Sequence, residues 1–374
     1  MSSSSGLLSW VLSTLLAGAA AFVLLFSVAA TGHPFFHGND SVPFNPWEPF
    51  HNLSGCHLGD DRPGLATVKA YLNRFGYYPT DEPSNFSDAF DGDFEAAIRA
   101  YQHNFHLNAT GALDAPTVDL MVQPRCGVAD VLNGSNATTT HGRGLYSYFS
   151  GNPTWPPYKR HLTYAFTSTS SVSLDISTIR AVFARAFSRW SEATTLTFSE
   201  ATDGAADMTI GFYSGDHGDG ESFDGVLGTL AHAFSPPDGR FHLDAAEDWV
   251  EGSVAAMSGT AVDLESVAVH EIGHLLGLGH STVQEAIMYP TIRAGTRKVE
   301  LASDDVEGIQ SLYGSNPSYA GAASSPSPST TNTNTNTMRE REANGAGGAP
   351  LQGRRWARAI GGVLVAVGAP LLVW

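Results

Sequence analysis

The sequence predicts an α+β fold, a twisted mixed sheet with three helices that follows a smaller all-helical unit. Three observations carry that prediction. In the main segment, short alternating apolar runs come first and the most apolar helix comes after them, the order of an α+β domain rather than of repeated βαβ units. Ahead of them, apolar residues recur at i, i+3 and i+4 through two stretches of the N-terminal third. Between the two parts lies an Asn/Thr/Gly-rich stretch, residues 131–143, which reads as an exposed linker.

In the helical unit, Leu65, Val68, Tyr71, Leu72 and Phe75 repeat at helical spacing until Gly76, and Phe94, Ala97, Ile98, Tyr101 and Phe105 do the same. A third, shorter helix starts after Asp114, with Pro116 in its first turn and Val118, Leu120 and Met121 as its apolar residues. Together these helices, over residues 53–123, bury one modest core. Residues 31–52 contain Pro and aromatics without periodicity and read as a loop or disordered lead-in. In the main segment, residues 144–314, the stretches 161–166, 196–198 and 208–212 read as strands, and Gly225–Phe234 as an edge strand with its approach. Ile176, Ile179, Val182, Phe183, Ala186, Phe187 and Trp190 line one side of a long helix. Helices at Glu265–Leu276 and Asp304–Tyr313 complete it. Residues 315–345 are Ser, Thr, Pro, Asn and Gly with few apolar groups, the composition of a disordered stalk.

The predicted helix 265–276 carries the chemistry. His270-Glu271-Ile272-Gly273-His274-Leu275-Leu276-Gly277-Leu278-Gly279-His280 reads H-E-x-x-H-x-x-G-x-x-H. On a helix, His270 and His274 project from one face, a spacing that suits two neutral imidazoles on one tetrahedral Zn²⁺. Gly277 can take φ > 0, end the helix and turn the chain, so that His280 returns as third ligand and the fourth position stays open. Glu271 is placed as general base toward water activated there. Without a metal, the same residues would be a buried helix whose histidines satisfy one another.

With 20 Lys and Arg against 37 Asp and Glu the chain carries −17, which excludes nucleic acid as a partner because a phosphate binder needs a basic face. The acidity concentrates in residues 144–314, with 9 basic and 22 acidic groups. Such acidity fits an extracellular calcium-binding protein as well as simple surface solubility. Two cysteines, Cys56 and Cys126, are too few for a disulfide framework. Residues 7–30 are apolar and end in small residues, as in a secretory signal peptide cut near Ala30; a non-cleaved anchor is the alternative. Residues 359–374 form a second apolar run behind a small-residue site at Asn344 or Gly345 and an Arg-containing spacer, so 346–374 read as a removed GPI-anchor signal, with a short spanning tail as the alternative. Six N-x-S/T sequons, at Asn39, Asn52, Asn85, Asn108, Asn133 and Asn136, all precede residue 140.

A second constellation lies between the strands. His217, Asp219, His232 and His242, at scattered loop positions, can close a structural zinc site. Asp224, Asp244 and Glu247 with nearby carbonyls can bind Ca²⁺. A polar, solvated loop is the other reading.

The stretch from His217 to Trp249, the helix motif, Ala286-Ile287-Met288-Tyr289-Pro290 and the segment Asp304 to Gly314 together resemble the matrix metalloproteinases (matrixins) of the metzincin clan, over roughly residues 55–314. The resemblance implies a zincin catalytic domain with a peptidoglycan-binding-like three-helix prodomain. It implies catalytic zinc on His270, His274 and His280 with Glu271 as base, and structural zinc on His217, Asp219, His232 and His242. It also implies Ca²⁺ on Asp224, Gly225, Thr229, Asp244 and Glu247, Gly225 and Thr229 through carbonyls. Met288 becomes the Met-turn residue, and Leu227 stands where a Gly is usual, a change that a carbonyl ligand tolerates if its φ is negative. Pro124-Arg125-Cys126-Gly127-Val128-Ala129-Asp130 is similar to the family's cysteine-switch segment (124–130), with Ala129 where Pro is usual. A thiolate is a strong zinc ligand, so Cys126 in the open fourth position would silence the enzyme, with Arg125 and Asp130 as a fixing ion pair. The alternative is a Cys56–Cys126 disulfide, which excludes the switch. A stalk and a lipid-anchor signal in place of a haemopexin-like repeat resemble plant members.

These expectations describe a zinc endopeptidase made as a latent zymogen, with residues 31–143 as propeptide. It is monomeric, acts on protein or peptide substrates outside the cell and is held at the membrane by GPI or released to the matrix. Substrate lies extended beside Gly228–His232, and Ser266, one helical turn before His270, faces the specificity pocket. The rival expectations are a catalytically silent anchored glycoprotein and a carbohydrate-binding N-terminal module.

Overall fold

The computed structural model describes residues 45–78, 85–131, 145–169, 172–202, 205–252 and 259–319. The N-terminal unit has helices α1 (Leu65–Arg74), α2 (Gly92–Asn104) and α3 (Ala115–Met121). Asp91 and Asp114 cap α2 and α3, each accepting the N–H three residues on, which satisfies one of the donors a helix start leaves open. Part of the expected lead-in is structured: a 3₁₀ helix, Glu48–Leu53, puts Trp47, Phe50 and Leu53 into the same core as Leu65, Tyr71 and Phe94. The absence of helical periodicity misled because six residues of 3₁₀ helix, two turns, are too short to show any.

The main domain is built on a six-stranded sheet. Its strands are β1 (Arg125–Cys126), β3 (His161–Ser168), β4 (Thr197–Glu200), β5 (Met208–Tyr213), β6 (Thr229–Ala233) and β7 (Arg240–Asp244), in the order β1-β6-β7-β5-β3-β4. Only β6 and β7 run antiparallel; the other pairs are parallel, so the sheet is mixed as predicted. Helix α4 (Ile176–Ala193) lies against α5 (Leu264–Leu275), and the buried Trp190 indole donates to the Val269 carbonyl at 2.9 Å, fixing one helix on the other. Helix α6 (Ser303–Tyr313) closes the domain. Short strands β2 (Tyr146–Tyr148) and β10 (Leu278–Ser281) pair antiparallel beyond α5, and β8 (Trp249–Val250) pairs with β9 (Val262–Asp263) before it.

Three expectations change. His232 and His242 do not sit on loops: they are directly opposed across β6 and β7. Cys56 and Cys126 are both free and buried, in separate places, so the disulfide is excluded. Residues 315–319 are not stalk, since Asn316 N donates to Ala193 O and Tyr319 packs on the main core. Among the described residues no helix is long and apolar enough to cross a membrane. The terminal runs 1–30 and 346–374, the linker 132–143, the anchor site at Asn344 or Gly345, and Asn39, Asn133 and Asn136 lie outside the described residues. Asn52, Asn85 and Asn108 are exposed.

Candidate active site and metal centres

Helix α5 is buried on all sides, capped by Asp263, whose carboxylate accepts from Ser266 N at 2.8 Å. His270 and His274 leave it on one face. Gly277 has φ 100°, and its Cβ-free face sits against Pro153 O, where an added Cβ would lie 2.2 Å from that oxygen. The chain therefore turns there and β10 brings back His280. Each Nδ1 has an acceptor: Ile287 O at 2.7 Å for His270, Leu278 O at 2.8 Å for His274 and Asp130 Oδ1 at 2.8 Å for His280. That assignment puts the proton on Nδ1 and turns every Nε2 lone pair inward. His274 Nε2 and His280 Nε2 are 3.2 Å apart, and His270 Nε2 is buried without a hydrogen-bond partner. Burial holds His270 and His274 well below the usual histidine range, so both imidazoles are neutral.

Cys126 completes the cluster. Its Sγ lies 3.4 Å from His274 Nε2, and one ligand atom from each of Cys126, His270, His274 and His280 falls within 4.8 Å of the others. Three inward imidazole nitrogens and a sulfur are the donor set of a tetrahedral zinc, so the residues fit the ion. Both Glu271 carboxylate oxygens are buried beside the Cys126 thiol, and burial pushes Glu271 up to about 8, with that thiol acting the other way. Met288 lies fully buried beneath the helix at Gly273, where an added Cβ would come within 2.3 Å of Met288 Sδ. A cleft beside the cluster is lined by Ser266, Val267, His270, Leu230, Tyr289 and Ile292, among others. Ser266 therefore does face it, with its hydroxyl donating to Asp263 and accepting from Lys298 N at 2.8 Å.

Cys126 arrives on β1, which is held on two sides. Arg125 N donates to Gly228 O and Gly127 N to Ala231 O on the β6 side, while Cys126 N donates to Pro290 O and Ile292 N to Pro124 O on the other. Arg125 and Asp130 form the expected ion pair, fully buried, at 2.5 Å, and the Arg125 guanidinium lies 3.5 Å from the Phe75 ring centroid. Sequence reasoning missed the Pro290–Ile292 side and the contact of Asp130 with His280; both join residues remote in the chain, and no local pattern reports them.

The second cluster also assembles. His217 Nε2, His232 Nε2 and His242 Nδ1 lie 2.9, 2.8 and 2.7 Å from the same oxygen, Asp219 Oδ2. Tyr213 and Phe223 stack on the His217 ring. Burial lowers His232 to about 4, while hydrogen bonds from Glu221 N–H and the histidines hold Asp219 well below the usual carboxylate range. A neutral-imidazole, anionic-carboxylate set of this kind suits zinc. Beside it, the loop from Asp224 to Thr229 folds over Asp224, Asp244 and Glu247: Thr229 N, Gly225 N and Leu227 N donate to one carboxylate each at 2.7, 3.1 and 2.8 Å. Glu247 Oε2 is buried without a partner. Leu227 has φ 63°, in the left-handed region, so the condition of a negative φ is not met there, and its N–H donates to Glu247.

Residues 154–314 match the matrixin family and residues 61–121 a peptidoglycan binding domain family. Metalloendoproteinase 2-MMP of Arabidopsis thaliana is 49% identical over 330 residues, covering 81% of this chain and 86% of that protein. Metalloendoproteinase 1 of Glycine max is 44% identical over 295 residues, covering 78% and 92%. Stromelysin-2 of Rattus norvegicus is 38% identical over 263 residues, covering 69% and 51%. A likeness that spans both units, together with an intact H-E-x-x-H-x-x-G-x-x-H on a buried helix, settles the membership: the chain belongs to the matrixins and is a zinc metalloendopeptidase.

Proposed function

We propose that this endopeptidase is made as a latent, secreted zymogen whose catalytic zinc is held by His270, His274 and His280 and blocked by Cys126. The observation that supports the reading is the Cys126 sulfur lying within 4.8 Å of a ligand nitrogen of each of the three histidines, on a strand hydrogen-bonded along both edges. Bound there, zinc supplies a Lewis acid that polarises a peptide carbonyl and acidifies water. Glu271, next to the first histidine and with both oxygens buried, takes the proton from the attacking water and returns it to the leaving amine. With β1 gone, the freed edges of β6 and of Pro290–Ile292 offer main-chain partners to an extended substrate. The Ser266-lined cleft takes an apolar side chain, favouring Leu over Ala, and equal cleavage of peptides differing only there would count against it.

His217, Asp219, His232 and His242 hold a structural zinc, and Asp224, Gly225, Thr229, Asp244 and Glu247 a Ca²⁺. The exposed sequons Asn52, Asn85 and Asn108 and the apolar run 7–30 support export, and the terminal run supports a GPI anchor at the cell surface. Expressing residues 31–345 and incubating with a quenched peptide, before and after a thiol-reactive mercurial, tests the reading. Activity should rise as Cys126 is captured and the N-terminal third lost, and Glu271→Gln should abolish activity and self-processing. Retained activity in Glu271→Gln would overturn the mechanism. An N-terminal unit that stays attached and binds glycan would favour the carbohydrate-module reading.

A further inference from the structure

Of the three histidines, two take their Nδ1 acceptor from the catalytic domain itself, the carbonyls of Ile287 and Leu278. The third does not. His280 Nδ1 meets Asp130 Oδ1 at 2.8 Å, and Asp130 belongs to the propeptide. Asp130 is fully enclosed and oriented from three sides. Arg125 Nη2 donates to the same Oδ1, Tyr77 Oη donates to Oδ2 at 2.8 Å, and Asp130 N donates to Phe75 O. Asn104 Nδ2 in turn donates to Tyr77 Oη at 2.8 Å, so the carboxylate is tied through Tyr77 to α2 of the N-terminal unit. A carboxylate has lone pairs enough for all of these donors at once.

We propose that Asp130 is the positioning residue of the third zinc ligand in the zymogen: it fixes the His280 ring with Nε2 toward the metal. Loss of the propeptide then removes two things from the centre, the Cys126 sulfur and the His280 brace. The latent protein therefore holds zinc more tightly than the mature one for a reason separate from the thiolate. This rests on the reading that the three histidines and Cys126 share one zinc.

The test uses the full chain bearing Glu271→Gln, which cannot process itself, with zinc and cobalt(II) as probes. Competition against a chelating dye should show zinc affinity falling about ten- to hundredfold in Asp130→Asn, the usual cost of removing a ligand's outer partner. The cobalt–thiolate absorption of Cys126 should persist in that variant. Unchanged zinc affinity overturns the proposal. So does loss of the thiolate band together with the metal, since Asp130 would then act only as a brace for the Cys126 loop. Should Asp130→Asn fail to fold, the parent decides. With ¹⁵N-labelled histidine, the His280 Nδ1 proton should exchange slowly and resonate far downfield, and it should vanish on removal of the propeptide while those of His270 and His274 remain. A His280 signal that survives this removal overturns the proposal. A parent without any thiolate band would show instead that Cys126 shares no metal with the histidines, and the proposal would fall with that reading.

Discussion

At Gly127 the Cys126 loop and the sheet edge come so close that one methyl decides the fit. An added Cβ would lie 2.7 Å from Thr229 Cγ2 and 3.3 Å from His232 Cβ, and Thr229 is fully buried and cannot retreat. Gly127→Ala should lift the loop at a cost of about 1–3 kcal/mol, which raises the open population roughly five- to hundredfold. Basal peptidase activity and the reaction rate of Cys126 with a thiol reagent should both rise by that factor. Gly92→Ala, where nothing lies within 4 Å, is the control. If Gly127→Ala stays as latent as the parent, the close fit is not what holds the loop. Residues of this kind mark the limit of reading from sequence. Glu271, the three histidines and Cys126 were legible because metal chemistry fixes residue type and spacing together. The Asp130–His280 contact spans 150 positions, and neither partner carries a local signature of the other.

At the scale of elements, α5 was found by its motif rather than by its periodicity, since a helix buried on every side has no apolar stripe to show. Strand β7 was missed: Arg240–Asp244 is short and begins and ends in charge. The available signal was its turn, Ser235-Pro236-Pro237-Asp238-Gly239, where Asp238 N donates to Ser235 O and Gly239 takes φ 76°. Reading it as a hairpin would have paired His232 with His242 and moved both from loops to strands. A different element fixes the Met288 turn. Asp305, in the first turn of α6, accepts from Ile287 N at 2.8 Å, Ala302 N at 2.7 Å and Met288 N at 3.1 Å. Asp305→Ala leaves these three donors without their acceptor in the interior. It should lower stability by at least about 2 kcal/mol in urea unfolding, with the metals kept saturating. Glu307→Ala, on the exposed side of the same helix, should stay within about 0.5 kcal/mol of the parent. Equal losses in the two variants would mean that α6, and not the Asp305 carboxylate, braces the turn.

Over the whole molecule acidic groups outnumber basic ones, 37 to 20, and three of them, Asp224, Asp244 and Glu247, lie together in the interior. Burial raises all three, and Glu247 reaches about 8 despite the Leu227 N–H that favours its anion, with Asp244 and Asp224 pushing the same way. The consequence for folding has a definite sign. Below an ordinary value of 4.5 Glu247 is protonated in both folded and unfolded chains. From there to about 8 the folded chain keeps a proton that the unfolded chain has released, so stability present at low pH is lost progressively across that window, by up to about 5 kcal/mol. A bound Ca²⁺ removes the cause, because a divalent cation neutralises charges that otherwise repel one another in a dry site. In calcium-free buffer with zinc present, the melting temperature should therefore fall between pH 5 and pH 8, and calcium should restore more at pH 8 than at pH 5. Glu247→Gln should flatten most of the calcium-free decline and weaken the response to calcium. A calcium effect of the same size at both pH values would show that the ion acts on the fold without engaging these three carboxylates.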